Sequence, residues 1–168
     1  MSRSQCFLVL LPLLALTTIL NAQTRIDAGL AVGLQSHESS SDSPRVLSSA
    51  DVLARRGNIG AHLAVEYTDL TQLGAMVATH LNLVYRHALG SDYAFLAGAG
   101  PTYVYNSEFD SATTWNAEFE LARTWPRTDL LARARWYDYS FERFRDLPAS
   151  PSGPAVYLGV RFRLAETP

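Results

Sequence analysis

The stretch AVYLGVRFRL, residues 155–164, decides the fold of this chain. Successive side chains of an extended strand point to opposite sides, so the stretch has two faces. The first face consists of Val156, Leu158, Val160, Phe162 and Leu164, and the second of Tyr157, Gly159, Arg161 and Arg163. One side is therefore continuously apolar, while the other carries two cations. This alternation predicts a β-strand with one apolar surface.

Seven other segments alternate in the same way, and turn or loop residues separate them. They are residues 25–35, 46–54, 59–67, 77–86, 93–105, 115–121 and 130–137. The segment 46–54 is the weakest, because only Val46, Ala50 and Val52 form its apolar side. Beyond residue 22 we find no helical periodicity of convincing length. The chain is therefore predicted to be all-β, with eight antiparallel strands.

The connections between these segments favour an up-and-down barrel. Loops are expected at residues 36–44, 69–73, 106–112 and 143–153, and turns at residues 55–57, 88–92 and 126–129. Membrane barrels have short periplasmic turns and longer extracellular loops, and both of their termini lie in the periplasm. Three of the four expected loops are longer than every turn, and only 69–73 is as short as a turn. Seven strands would place the C-terminus outside, so the weak segment is kept as a strand.

Alternation alone does not decide which face points inward. A soluble lipocalin-like barrel turns apolar residues inward around a ligand, whereas a membrane barrel turns them outward. Here the polar faces combine small residues with charges of both signs, which suits a narrow interior. The expected interior charges are Asp27, Glu66, Arg86, Glu118, Glu120, Arg133, Arg135, Arg161 and Arg163. We predict that they form an Arg–carboxylate network that plugs the lumen.

Aromatic residues gather at the ends of the predicted strands. They are Tyr67, Tyr85, Tyr93, Tyr103, Tyr105, Trp115, Trp125 and Trp136. Such residues form belts at both interfaces of membrane proteins, where the ring contacts lipid and its polar atom reaches the headgroup layer. The belts and the polar inner faces favour a transmembrane barrel. A soluble periplasmic barrel that binds an apolar ligand is the main alternative.

The closing stretch also resembles a known motif. Tyr157, Gly159, Phe162 and Leu164 have the spacing of the last strand of bacterial outer-membrane barrels, which the barrel-assembly machinery reads. The sequence departs from the family pattern in having Leu164 where Phe is usual, and four residues follow it. Over most of its length the chain resembles the small eight-stranded barrels of the OmpA, OmpX and OmpW type.

The resemblance implies a location in the bacterial outer membrane, with membrane lipid and the assembly machinery as partners. It implies a role only loosely: anchoring, adhesion, envelope integrity or passage of small apolar solutes. Short expected loops argue against adhesion, and we expect no peptidoglycan-binding domain after the barrel. A monomer is expected.

The first 22 residues read as a secretory signal peptide. Arg3 is followed by an apolar run from Phe7 to Leu20, and Ala22 provides the small residue before the cleavage site. The run is shorter than the roughly 20 residues of a spanning helix, and Pro12 interrupts it. Cys6 would leave with this segment, so residues 23–168 are expected to form one domain without disulfides or thiolate metal sites.

Composition gives little support to nucleic-acid binding. The formal net charge is −2, and all 14 basic residues are arginines. No basic run occurs that would follow a phosphate backbone. Arginine's planar guanidinium suits buried carboxylate pairs, which agrees with the expected network in the lumen.

Three sets of residues are candidates for sites of chemistry. The segment His80-Leu81-Asn82 resembles the His-x-Ser-Asn pattern of lipid A deacylases but lacks the serine nucleophile. His37, Asp42 and Ser43 resemble the His, Asp and Ser of palmitoyl-transferring barrels, although serine-rich loops supply such triples by chance. His62, His80 and Glu66 are a weak metal pattern. We therefore expect no enzyme activity, metal or cofactor, and we expect His80 to bond Asn82 or Glu66.

Gly98, Gly100 and Pro101 interrupt the strand 93–105. The glycines are expected to make room inside the barrel, because no phosphate-binding pattern surrounds them. Proline lacks the N–H group that a paired strand needs. Pro101 therefore marks either a bulge through which an apolar ligand could leave the wall or the level at which the strand leaves the membrane; the second interpretation is favoured.

Overall fold

A computed structural model of the chain describes residues 24–35, 45–70, 74–106, 111–138 and 153–166. The described residues form eight strands that pair in chain order and close into an antiparallel barrel. The strands are β1 (Arg25–Gln35), β2 (Arg45–Arg56), β3 (Ile59–Leu70), β4 (Gly74–Leu89), β5 (Tyr93–Asn106), β6 (Ala112–Thr124), β7 (Thr128–Asp138) and β8 (Gly153–Glu166). In these ranges no helix is long and apolar enough to cross a membrane.

The predicted eight-stranded barrel is confirmed, and the strands are longer than predicted. The weak segment 46–54 is a full strand, β2, whose hydrogen-bonded partners are β1 and β3. The predicted turn 126–129 is wrong at its end, because Thr128 already begins β7. The predicted signal peptide 1–22 and residues 36–44, 71–73, 107–110 and 139–152 of the loop regions lie outside the described residues.

Two of the short turns depend on glycine. Gly57 has a φ of 57° and Gly90 a φ of 76°, in the left-handed region that side chains other than glycine rarely adopt. These turns join β2 to β3 and β4 to β5 at one end of the barrel. We call this the turn end, and the opposite end, where residues 36–44 connect β1 to β2, the loop end.

Pairing between β1 and β8 closes the sheet. Gly29 lies opposite Arg161 and Gly33 opposite Tyr157. The register shifts between Ile26 and Asp27, where Ile26 pairs with Ala165 and Asp27 with Arg163. Such a shift is a β-bulge, which bends a strand and increases its twist. Closure leaves neither strand with an unpaired edge, as a sheet in hydrocarbon requires.

The two faces of the wall are sorted as in a membrane barrel. The apolar side chains identified in the sequence point outward; Leu83 and Leu158, for example, are each 71% exposed. The inward faces carry buried carboxylates, guanidinium groups, amides and histidines. The aromatic belts are exposed at both ends of the wall, with Trp115 and Trp136 toward the loop end and Trp125 toward the turn end. A barrel built around an apolar ligand would show the reverse.

Tyr157 needs a glycine beside it. Its ring lies over Gly33, its register partner on β1. A Cβ atom on Gly33 would collide with this ring and would lie 2.8 Å from the carbonyl oxygen of Val156. The missing side chain of Gly33 therefore allows β8 to place a buried aromatic residue against β1.

We predict that Gly33→Val destabilises the barrel by about 1–3 kcal/mol, the usual cost of overpacking a filled interior. The measurement is urea unfolding of the refolded chain in lipid vesicles. Ala50→Val is the matched control, because Ala50 points outward from β2 and is exposed. Equal stability of the two variants would contradict the packing of Tyr157 on Gly33.

Candidate functional site

Charged side chains from four strands meet in the middle of the barrel. Arg133 donates to Oδ2 of Asp51 at 2.6 Å and to Oε2 of Glu120 at 3.1 Å. Arg161 donates two hydrogen bonds to Glu120, of 2.6 and 2.9 Å, and one to Asp51 of 3.3 Å. All four side chains are buried. We call Asp51, Glu120, Arg133 and Arg161 the central network; it ties β2 to β6, β7 and β8.

The strand register explains why these residues meet. Glu120 and Arg133 are direct partners across β6 and β7, so they share the inward face. Asp51 and Arg161 lie on β2 and β8, which are separated by β1, and Gly29 is the register partner of both. A Cβ atom on Gly29 would lie 2.7 Å from Oδ1 of Asp51. The absent side chain of Gly29 lets the carboxylate and the guanidinium meet over β1.

A second group of charges lies toward the loop end. Arg135 donates to Glu118 at 2.7 Å and also to Glu66. The Nδ1 atom of His62 lies 2.6 Å from Glu118, and the Nε2 atom of His80 lies 3.1 Å from Glu66. All five side chains are buried. We call Glu66, Glu118, Arg135, His62 and His80 the outer network.

His62 connects the two networks. Besides its contact with Glu118, its Nε2 atom lies 3.4 Å from Oδ1 of Asp51. In the described residues the two networks contain four carboxylates and three guanidinium groups, a sum of one negative charge with both histidines neutral. The interior is thus an almost neutral, internally paired core.

Two buried tyrosines cover the outer network. The hydroxyl of Tyr137 donates to Glu66 and also shares a hydrogen bond with the hydroxyl of Tyr157. The guanidinium carbon of Arg135 lies 5.8 Å from the ring centre of Tyr157, which is within the range of a cation–π contact. Tyr157 therefore belongs both to the motif that resembles the assembly signal and to the packing of the lumen.

An amide cluster lies beside the outer network. Asn82 and Asn116 exchange two hydrogen bonds of 2.9 Å. Asn116 also donates to the carbonyl oxygen of Gly100 at 3.1 Å, and His80 contacts the Thr102 hydroxyl at 2.8 Å. His80 thus lies at ion-pair distance from Glu66, one of its two expected partners, but its hydrogen bond is to Thr102, while Asn82 bonds Asn116. A Cβ atom on Gly100 would run into β4, so this glycine makes room inside the wall.

Pro101 points outward beside this amide cluster. Pairing of β4 with β5 runs to His80–Thr102 and resumes at Leu83–Ala99 in the same register. The expected alternative of a bulge is therefore wrong at this position, and the missing N–H group of proline accounts for the interruption. On its other side Pro101 pairs with Trp115 of the aromatic belt.

A looser cluster occupies the turn end of the lumen. Arg25 lies 2.7 Å from Asp27 and 3.7 Å from Asp129. Arg55 lies 3.9 Å from Asp27, and Arg86 lies 4.0 Å from Asp129. The three arginines are only partly buried, and three of these four pairs are longer than the contacts of the central network. Asp27 and Arg86, expected among the interior charges, lie here.

Arg163 does not join the buried charges. It forms an ion pair of 2.9 Å with Glu166, and both side chains are accessible to solvent. The cause is its position on β8 next to the bulge, where the strand leaves the barrel. Of the other motif residues, Gly159 faces the lumen side of the wall, while Phe162 and Leu164 are exposed on the outer face.

Sequence reasoning missed several interior residues, above all Asp51. Its inward direction follows from the alternation of β2, but the apolar side of that segment is too weak to draw attention to the polar side. Asp129 was assigned to a turn, and Asn116 and Tyr137 were not given partners. His37, Asp42 and Ser43 lie outside the described residues. Within those residues, no group of three His, Cys, Asp or Glu side chains could hold a metal ion.

We predict that Asp51→Asn destabilises the folded barrel by about 3–5 kcal/mol, because it leaves two buried guanidinium groups short of a carboxylate. Urea unfolding in lipid vesicles measures the loss. The matched control is Glu166→Gln, which removes an exposed partner of Arg163 and is expected to cost less than about 1 kcal/mol. Similar small losses in both variants would show that the central network contributes little to stability.

Comparison with solved structures identifies the fold. The Neisserial surface protein A superposes with a TM-score of 0.62 at 12% identity, over 85% of this chain and 98% of that one. The N-terminal β-barrel domain of OprF from Pseudomonas aeruginosa gives a TM-score of 0.56 at 15% identity, over 84% and 100%. A designed transmembrane β-barrel gives 0.61 at 11% identity, over 83% and 95%. No family model and no curated protein matches the chain. These likenesses establish the barrel fold alone.

Proposed function

We propose that this chain is a small outer-membrane barrel protein with a structural role in the bacterial envelope and a lumen closed by its own side chains. The observation that carries the proposal is the central network, which joins β2 to β6, β7 and β8 through buried hydrogen bonds. Side chains that cross the lumen in this way occupy the space that a conducting pore would need.

The outer surface supports a membrane location. Its strands present apolar side chains between two aromatic belts, while charges are buried within. In water such a surface would be costly, whereas in lipid it is the favourable arrangement. The expected signal peptide and the resemblance of residues 157–164 to the closing motif favour the outer membrane among bacterial membranes.

The width of the barrel supports a closed lumen. An eight-stranded barrel has an interior just wide enough for side chains to fill. Here the interior holds arginine, tyrosine and histidine, which are large residues, on neighbouring levels. Their polar atoms are largely paired with one another, so an ion would have to break buried hydrogen bonds to pass.

Passage of small apolar solutes through the wall is the second candidate, and the interrupted pairing at Pro101 is the observation that favours it. Its support is weaker, because the register is unchanged there and Asn82 and Asn116 lie behind the interruption. The expectation that the chain is not an enzyme stays a prediction.

We predict that the refolded chain runs as a heat-modifiable band on a gel and shows no steady single-channel conductance in a planar bilayer. The double variant Glu120→Ala/Arg161→Ala removes both partners of the two-bond contact and is expected to conduct while remaining folded. Its control, Arg163→Ala/Glu166→Ala, removes an exposed pair and is expected to stay closed.

Two results would contradict the proposal separately. Steady conductance of the unaltered chain would overturn the closed lumen but not the membrane location. A folded monomer that needs neither lipid nor detergent would overturn the membrane location and would direct attention to a soluble barrel.

We also predict the orientation of the chain. Residue 41 lies in the connection between β1 and β2, and Ser91 in the turn between β4 and β5, at the other end. Because Cys6 is the only cysteine, Ser41→Cys and Ser91→Cys introduce single probes after signal cleavage. On intact cells, a membrane-impermeant maleimide should label Ser41→Cys and should reach Ser91→Cys only after the outer membrane is opened. The opposite pattern would reverse the orientation.

A further inference from the structure

The charged residues at the turn end of the lumen carry an excess of cations. They are Arg25, Arg55, Arg86, Asp27 and Asp129, and we call them the turn-end cluster. Three guanidinium groups face two carboxylates, which leaves one positive charge over. The cluster belongs to neither the central nor the outer network, so the closed middle of the barrel leaves it without a role.

Asp129 is a buried carboxylate of this cluster that is poorly paired. Its side chain is only 4% exposed, and among the described residues its Oδ1 atom has no hydrogen-bond partner. Guanidinium nitrogens of Arg25 and Arg86 lie 3.7 and 4.0 Å from its other oxygen, beyond hydrogen-bond distance. A buried carboxylate oxygen that accepts no hydrogen bond is costly. Oδ1 of Asp129 is therefore placed to accept from a bound ligand.

Two guanidinium groups of the cluster are likewise not in close contact with a carboxylate. Arg25 holds Asp27 with hydrogen bonds of 2.7 and 3.0 Å. Arg55 lies 3.9 Å from Asp27 and donates instead to the carbonyl oxygen of Gly57, while Arg86 lies 4.0 Å from Asp129. The side chains of Arg55 and Arg86 are 15% and 16% exposed, so an anion can reach both from the turn end.

We propose that the turn-end cluster binds one oxyanion that carries a hydroxyl group, with hydrogen phosphate as the smallest example. The charged oxygens of the ligand accept hydrogen bonds from Arg55 and Arg86, and its hydroxyl donates to Oδ1 of Asp129. Guanidinium groups bind phosphate in this way, and such charged hydrogen bonds are the strong ones. The anion offsets the extra cation of the cluster. This site goes beyond the proposed structural role and needs no conduction through the central network.

The carboxylate of Asp129 makes the site selective. At neutral pH inorganic phosphate keeps at least one hydroxyl, whereas sulfate keeps none. Sulfate would therefore bring an oxygen against Oδ1 of Asp129 with no proton between the two acceptors. A site built to bond a hydroxyl discriminates strongly against an analogue that lacks it. A cluster that merely attracts negative charge would bind both anions equally.

The test is calorimetric titration of the refolded barrel, in a non-ionic detergent without phosphate, with sodium phosphate and with sodium sulfate at equal ionic strength. The unaltered chain is expected to bind one phosphate, and sulfate more weakly by about tenfold or more. Arg55→Gln removes a donor and should weaken phosphate binding about tenfold. Arg56→Gln is the matched control, because Arg56 is the next residue and is exposed; it should bind as the unaltered chain does.

Asp129→Asn tests the acceptor separately. An amide accepts and also donates hydrogen bonds, so this variant should bind phosphate more weakly and should no longer distinguish it from sulfate. A short-chain phosphatidic acid, whose headgroup is a phosphate monoester, is the second probe. Binding of this lipid without binding of inorganic phosphate would overturn the free anion as the ligand.

Heat-modifiability of every variant is measured in parallel, and the comparison of phosphate with sulfate on the unaltered chain needs no variant at all. Equal binding of the two anions would overturn the role of Asp129. Absence of phosphate binding, or equal binding by Arg55→Gln and Arg56→Gln, would overturn the site. A chain that folds without detergent or lipid would overturn the proposed membrane function but not the site, which can be titrated in either solvent.

Discussion

Closure of the sheet by backbone hydrogen bonds between neighbouring strands is the constraint on which the rest of this structure depends. A sheet in hydrocarbon cannot keep an open edge, since each unpaired group would cost several kcal/mol. Pairing of β1 with β8 removes the edge, and closure divides the side chains into an outer and an inner set. The inward side chains are then confined to a lumen whose diameter depends on the number of strands. The charged pairs and the tyrosines fill that space, and the inward glycines leave room for them.

Buried ion pairs do not by themselves explain stability, because removing charges from water costs about as much as their attraction returns. Their geometry has another consequence here. Glu120 pairs with Arg133 and Glu118 with Arg135 across β6 and β7, while Arg161 reaches Asp51 over Gly29. A slip of one residue between strands would turn the arginines to the outer face and the leucines inward. The networks add a penalty against a slip of two residues, which would keep the apolar side chains outward but would separate Glu120 from Arg133.

The alternation of side chains was enough to predict eight strands, their faces and most of the inward charges. It could not predict which charges meet. Asp51 and Arg161 are 110 positions apart in sequence, and their contact depends on closure and on the missing side chain of Gly29. For Arg163 the alternation made a wrong prediction. It places the side chain in the lumen, but beside the bulge Arg163 forms a solvent-accessible ion pair with Glu166. The role of Asp51 was hidden because β2 has few large apolar residues.

On β7 the residues of the inner and the outer face are chosen independently of each other. On β7 the inward positions hold Arg133 and Arg135, whereas the outward positions between them and beside them hold Ala132 and Ala134. Packing inside the lumen does not require small residues on the outside, since side chains on opposite faces do not touch. Nor does a lipid surface require them, because larger apolar residues bury more area. The outward alanines of β7 are therefore not fixed by the packing of the lumen, and similar outward alanines occur on β2 and β5, at Ala50 and Ala99.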